Sequence, residues 1–449
     1  MASSLAMASP SMVLKEKSRP RTVSVTTDEF APDQIVVKFK ATADDSEIEQ
    51  KIVNDGDGKV YESPYEKVKV LKIPLGTSLK QAMQRYRGDN RVEYVKRDYV
   101  MKATMVPTDP YYSLQWNFFN STYGGINMPA AWDKSSGQGV VTAVVDTGVA
   151  YENYGTKYAQ APDLAGVNFI PGWDFINNDS HPNDDDGHGT HVTGTIAQST
   201  NNGIGTAGIA YNASIMPVKV LDQNGNGSYV QVADGIRYAA DHGAKIINMS
   251  LGGTVPDTYL EDAVRYAYNK GVTIIAASGN DGAAAVDYPA AYNAYVIAVG
   301  ATRYDEQKAY YSNSGSALDI TAPGGDDTVD QNGDGYIDGI LQQTFAPPKY
   351  KVFNYYFYTG TSMATPHVSG VAALILARNS TFTPAQVRNF IQSTAEDHGP
   401  PGWDADYGWG IVDANAAVPN LSISLNSDGQ VNLGTIALGA TTSTPPGSE

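Results

Sequence analysis

The chain contains no cysteine among its 449 residues. That excludes disulfides, a thiolate metal site and a thiol nucleophile. Basic residues are scarce, 31 Lys and Arg against 48 Asp and Glu, for a net charge of −17 at pH 7. An acidic balance of this size argues against nucleic acid or an anionic membrane surface as a partner. No uninterrupted apolar run approaches the roughly 18–20 residues that span a bilayer. Nothing hydrophobic precedes Ala6-Met7-Ala8, a small-x-small pattern of the kind found at signal cleavage sites, so a signal peptide is absent or trimmed. A hydrophobic share of 42% excludes a wholly disordered chain, and the length suits two or three domains.

The charge is unevenly spread. Lys15 to Lys102 carry a net of +3, and Ala103 to Glu449 a net of −20. The basic leader reads as a small α+β unit. Strands are expected at Gln34–Phe39, Val68–Ile73 and Val92–Val95, and helices at Asp44–Val53 and Leu79–Tyr86. Residues 103–109 read as a linker, with Pro107 and Pro110 as breakers. From about 110 to 419 short apolar strands alternate with longer helices. Strands are expected at Val140–Asp146, Ser214–Leu221, Lys245–Ser250, Val272–Ala277 and Val296–Gly300. Helices are expected at Tyr229–Asp241, Tyr259–Asn269 and Met363–Arg378. The pattern predicts an α/β fold, a doubly wound parallel sheet covered on both faces, with ligands beyond the carboxyl ends of its strands. Residues 1–31 form a polar tail, and 420–449, poor in charge and rich in Ser, Thr, Gly and Pro, a linker or tail.

Three short motifs carry chemistry. Asp146 ends a predicted strand in Val144-Val145-Asp146-Thr147-Gly148, where an acid is held rigidly at the functional edge of the sheet; alone it also suits a turn. His188 lies in Asp186-Gly187-His188-Gly189-Thr190-His191, before a predicted helix. His191 three residues on lacks further ligands at metal spacing and reads as a packed, hydrogen-bonded residue. Ser362 lies in Gly360-Thr361-Ser362-Met363-Ala364-Thr365-Pro366-His367 and opens a long apolar helix, as an N-cap or as a nucleophile favoured by the helix's positive end. A serine needs an adjacent base, and a histidine oriented by a buried carboxylate supplies one.

In the order Asp…His…Ser, and in the words DTG, HGTHVTG and GTSMATPHVSG, the chain resembles the subtilisin-like serine proteases, the thermitase branch most closely. The resemblance covers about 310 residues. It implies Ser362 as nucleophile, His188 as general base and then acid, Asp146 as its orienting carboxylate, and Asn280 as a side-chain donor to the oxyanion. It also implies two extended substrate edges. One runs along Ser250, Leu251, Gly252 and Gly253, and the other along Gly225, Asn226, Gly227, Ser228 and Tyr229, with Tyr229 walling a pocket. Gly279 precedes Asn280. Asp287, before the family dipeptide Tyr288-Pro289, falls near the floor of the first specificity pocket, where it attracts Lys or Arg or else turns to solvent. The basic unit at 32–102 resembles the family's propeptide, an intramolecular inhibitor, with Lys102 as a fitting self-cleavage point.

Calcium signals complete the reading. Asp330, Asn332, Asp334, the Tyr336 carbonyl and Asp338 occupy positions 1, 3, 5, 7 and 9 of an EF-hand-type loop, with Gly335 at position 6. Leu341 replaces the bidentate Glu at position 12, and Asp326 or Asp327 is a candidate for the missing oxygen. The resemblance adds Asp109, Asp163, Asn202 and the carbonyls of Ile204 and Thr206 as one site, and Asp174, Asp179 and Asn183 as another. The expected protein is a secreted, calcium-stabilised, monomeric serine endopeptidase made as a zymogen and acting on peptides or proteins. The alternatives are a calcium-dependent binding protein on an inactive protease fold, or a peptide ligase or cyclase using the same three residues.

Overall fold

A computed structural model describes residues 30–99, 105–119, 124–419, 423–425 and 431–433. They fall into two compact units, divided between Thr104 and Met105. Lys102, the expected cleavage point, lies outside the described residues, as do most of the terminal tails.

The smaller unit runs β1 (Phe30–Phe39), α1 (Asp45–Asn54), β2 (Gly58–Glu62), β3 (Val68–Lys72), α2 (Leu79–Arg87) and β4 (Val92–Tyr99). Its antiparallel sheet has the order β2-β3-β1-β4. Alternate residues Ile35, Val37 and Phe39 of β1 are buried with Leu71, Ile48, Ile52 and Tyr86, as the period of two demands. Asp44 caps α1, and a Ser78–Gln81 capping box starts α2. Strand β2, fully exposed in pattern, is not evident in the sequence because it lacks an apolar alternation.

The larger unit begins at Met105, so the expected linker is shorter than its pattern suggests: the Met105 N–H bonds Asp133 at 3.1 Å and Asp109 is buried. After α3 (Met128–Trp132) come β5 (Val141–Asp146), β6 (Asn168–Phe169), β7 (Trp173–Asp174), α4 (His188–Ala197), β8 (Ser214–Lys219) and α5 (Tyr229–Asp241). Then follow β9 (Ile246–Met249), α6 (Thr258–Asn269), β10 (Thr273–Ala277), β11 (Val296–Thr302) and β12 (Ile320–Pro323). These strands form a parallel sheet in the order β12-β11-β10-β9-β5-β8-β6, with β7 also pairing β8. Beyond it lie the hairpin β13 (Ile340–Phe345) and β14 (Phe353–Tyr358), then α7 (Thr361–Arg378), α8 (Pro384–Ser393), α9 (Ala414–Ala417) and a small pair, β15 (Ile423–Leu425) and β16 (Val431–Leu433).

The sheet is wound on both faces, and neighbouring residues divide between them. Ile274 and Ala276 of β10 pack toward α5 and α6, while Ile275 packs toward α7. Burial on both faces explains why these strands read as continuous apolar runs. Among the described residues, no helix is long and apolar enough to cross a membrane.

Candidate active site

The carboxyl end of β5 delivers Asp146, and α4 starts at His188. Gly187, just before it, has φ +106°, and a Cβ there would lie 2.8 Å from the Phe345 carbonyl oxygen, so the approach to His188 requires glycine. Asp146 is fully buried; its Oδ1 accepts the Thr147 N–H at 2.8 Å and meets His188 Nδ1 at 2.7 Å. His188 Nε2 is buried and, among the described residues, has no hydrogen-bond partner. Burial disfavours the imidazolium, but the Asp146 carboxylate outweighs it with help from Asp186 and Asp184, lifting His188 to about 9.

Further carboxylates brace this half. Asp184 Oδ1 accepts the Thr147 hydroxyl at 2.9 Å, and its Oδ2 accepts the Thr190 N–H and hydroxyl at 2.9 and 2.6 Å. Asp186 accepts the His188 N–H at 3.1 Å. Lys219, fully buried at the end of β8, donates to Asp185 at 2.7 Å and to the carbonyls of Thr147 and Leu221 at 2.6 and 2.9 Å. No motif marks Lys219 in the sequence. Its one signal is physical: a lysine in a strand buried on both faces must find a partner. His191 is a structural residue, bonded to the Tyr356 carbonyl at 3.0 Å and stacked on Tyr358 with ring centroids 4.4 Å apart.

Ser362 is the second residue of α7, with Gly360 as N-cap, so it is not the cap. Its hydroxyl donates to the Ser250 carbonyl at 3.1 Å rather than to His188. The Ser250 hydroxyl in turn donates to the Ser362 carbonyl at 2.8 Å. That carbonyl is left without its usual helical donor because Pro366, four residues on, has no N–H. Asn280, exposed after β10, has its Oδ1 occupied by the Thr361 N–H and hydroxyl, both at 2.8 Å, which leaves Nδ2 as the outward donor. A Cβ built on Gly360 would lie 3.6 Å from Asn280 Nδ2 and 3.7 Å from Ser362 N, so the two donors border one point.

The expected substrate edges meet this centre. Ser250 is buried, Leu251 packs on the α5–α6 side, and Gly253 pairs in both directions with Tyr288 at 2.8 Å. A Cβ on Gly253 would fall 2.4 Å from the Tyr229 hydroxyl, which brings the two edges together. Gly225 lies in a turn closed by Asp222, and a Cβ on Gly227 would strike the Val220 carbonyl at 2.1 Å. Asp287 lies against Gly252 and Gly279.

Among the described residues, no three His, Asp or Glu side chains cluster as a metal site. A cation would therefore need amide and backbone oxygens as well as carboxylates. Asp163 is fully buried and raised above the usual carboxylate range by that burial; its oxygens accept Asn202 Nδ2 at 2.6 Å and the Thr206 N–H at 3.1 Å. Asp109 accepts the N–H groups of Asn201 and Asn202 at 2.8 and 3.2 Å, and Asn202 Oδ1 accepts that of Ile204 at 2.9 Å. These five residues come together. In the second set, Asp174 and Asp179 pair through their backbones, and Asn183 Oδ1 is buried and without a partner among the described residues. Glu152, 31 positions away and marked by no motif, accepts a hydrogen bond from Asn183 Nδ2 at 2.9 Å.

In the third set, Asp330 accepts the N–H groups of Gly333 and Gly335 at 2.8 and 3.1 Å, Asn332 that of Asp334 at 2.8 Å, and Asp334 that of Tyr336 at 2.9 Å. Asp338 is buried, with Oδ1 unpartnered among the described residues. Leu341 lies buried in β13, and Asp326, a candidate for the missing oxygen, is engaged by Arg303 at 3.2 Å.

The Subtilase family profile matches residues 137–410, and the Fervidolysin N-terminal prodomain profile matches residues 16–97. The chain is 42% identical to Thermitase of Thermoactinomyces vulgaris over 292 residues, 65% of this chain and 91% of that one. It is 35% identical to the Thermophilic serine proteinase of Bacillus sp. (strain AK1) over 380 residues, 84% and 86% of the two chains. An Extracellular protease of Xanthomonas campestris is 36% identical over 376 residues, 75% of this chain and 60% of that one. Among solved structures, a protease from Pseudoalteromonas arctica PAMC 21717 matches with a TM-score of 0.61 and 35% identity, covering 70% of this chain and 99% of that one.

Proposed function

This chain belongs to the subtilase family, as a serine endopeptidase with an N-terminal prodomain, and on that premise we propose that it is a secreted, calcium-stabilised, self-processing zymogen that works through an acyl-enzyme on Ser362. One observation carries the catalytic assignment. The 2.7 Å contact between Asp146 and His188 Nδ1 fixes the ring and leaves Nε2 as its base. In the reaction Ser362 Oγ leaves the Ser250 carbonyl, gives its proton to His188 Nε2 and bonds the substrate carbonyl carbon. Asp146 stabilises the imidazolium. Asn280 Nδ2 and the Ser362 N–H donate to the oxyanion. His188 then protonates the leaving amine, and water hydrolyses the ester by the same route. Substrate backbone adds as a strand between Ser250–Gly252 and Gly225–Tyr229, with Gly279 beside the oxyanion donors.

Calcium supplies a fixed positive charge that cross-links loops through oxygen ligands. Asp109, Asp163, Asn202 and the carbonyls of Ile204 and Thr206 would hold one ion. Asp174, Asp179 and Asn183 would hold a second, and Asp330, Asn332, Asp334, Asp338 and the Tyr336 carbonyl a third. The buried Asp163 and the orphaned oxygens of Asn183 and Asp338 suit cation ligation. Secretion is supported by the name of the Xanthomonas relative.

A fluorophosphonate probe should label the protein at Ser362 and fail on Ser362→Ala, which should also remain uncut near residues 102–107. Labelling that survives the substitution refutes the nucleophile. With free calcium at 100 to 1,000 times its Kd, chelation should remove about 3–4 kcal/mol of stability for each ion bound at that saturation. Asp163→Asn should reduce that loss, and an unchanged Tm on chelation refutes the calcium reading.

A further inference from the structure

The segments that follow β9 and β10 both reach Asp287, and the second of them carries Asn280. Ser250–Gly253 is the first and Ser278–Asn280 the second. Neither segment has a side chain at Gly252 or Gly279. Asp287 lies against both segments. Its N–H is pinned to the Ser278 carbonyl at 2.9 Å, and its neighbour Tyr288 is paired to Gly253. A Cβ on Gly279 would lie 2.6 Å from Asp287 Oδ2, and one on Gly252 would lie 3.4 Å from the same oxygen. The two glycines thus leave room for the carboxylate, with Asn313 Nδ2 on the Gly279 side, 2.2 Å from where a Cβ would stand.

We infer that Asp287 makes this pocket select a cationic side chain, lysine or arginine, immediately before the scissile bond. The inference rests on the protease reading above and names its substrate class. A substrate whose carbonyl oxygen lies between Asn280 Nδ2 and the Ser362 N–H directs that residue's side chain between the two segments. The carboxylate waiting there is half-buried, and among the described residues no hydrogen bond or ion pair engages it. Burial, then the neighbouring Asp281 carboxylate, raises it to about 6, so the pocket's own surroundings offer it no compensating charge. An apolar side chain would strip water from the carboxylate and leave it unpaired. A lysine or arginine would pair it with a charge-assisted hydrogen bond. Discrimination comes as much from the penalty on the wrong residue as from the gain on the right one.

The test compares the active protein with Asp287→Asn and Asp287→Glu on matched fluorogenic peptides bearing Lys, Arg, norleucine or Phe before the scissile bond. Norleucine is close to lysine in shape and lacks its charge. Wild type should favour Lys over norleucine by at least about tenfold in kcat/KM. Asp287→Asn should erase most of that ratio, and Asp287→Glu should keep part of it. A wild-type ratio at or below one, or a ratio unchanged in Asp287→Asn while fluorophosphonate still labels Ser362, overturns the assignment. A wild-type protein inert to all four peptides and to the probe would instead overturn the protease reading, and this inference with it.

Discussion

The two halves of the site are held by opposite means. Around His188 the braces are buried and charged: Asp146, Asp184, Asp185 and Asp186, with Lys219 among them. Around Ser362 and Asn280 the immediate braces are neutral: the Thr361 and Ser250 side chains and backbone groups. The difference matches the charges that would develop in the proposed reaction. The base becomes an imidazolium, which nearby carboxylates favour. The oxyanion forms among neutral N–H donors, which stabilise it without a counter-ion. The half that must gain positive charge is built of acids, and the half that must hold negative charge presents dipoles.

Breaking the charged half should cost most. Asp146→Asn should lower kcat by about 10⁴, the loss seen when a triad aspartate is replaced by its amide, because the ring loses its correct tautomer. Lys219→Met should cost about 3–5 kcal/mol in chemical denaturation, since it strips the buried partner from Asp185. A loss below about 1 kcal/mol would mean that Lys157, 3.7 Å from the other oxygen of Asp185, suffices. On the neutral side, Asn280→Ala should cost about 10²–10³ in kcat, as loss of the equivalent donor does in a subtilisin, with KM little changed.

The smallest effect separates the halves by pH. A histidine whose folded pKa rises from about 6.5 to about 9 stabilises the fold fully below 6.5 and loses that contribution as pH climbs through 9. The base acts only when neutral, so kcat/KM should rise over the same window. Asp186→Asn removes one nearby carboxylate and should move the midpoint down by less than about one unit. In Asn280→Ala the midpoint should stay where it is. A midpoint near 6.5 in the unaltered protein would show that desolvation cancels the pull of Asp146 on His188, and one below 6.5 that desolvation outweighs it.

Much of this is legible in the amino-acid sequence. Near-continuous apolar strands such as Ile246–Met249 and Thr273–Ala277 announce a sheet buried on both faces, and α5 spans Tyr229–Asp241 as its pattern predicts. The hairpin β13–β14 is not legible. Its buried Gln342 and Gln343 break any apolar alternation, and they are there to bond Thr206 and Asp163, more than a hundred residues away. The role of Thr361 in setting the Asn280 amide is hidden for the same reason, since the two lie 81 positions apart. Asp326 reads as a spare calcium oxygen, but Arg303, distant in sequence, lies beside it in the fold.

By itself the sequence singled out the residues proposed to act, because a serine, a histidine and an aspartate in those words leave few other uses. It determined the sheet as well, because burial on both faces shows in composition. The tertiary structure decided how those residues are aimed. It set the Ser362 hydroxyl on the Ser250 carbonyl, the Asn280 amide with its N–H₂ outward, and the Asp287 carboxylate against two glycines, without a partner among the described residues. Each of these depends on a hydrogen bond or a close approach between distant segments, and only the folded chain brings such groups together.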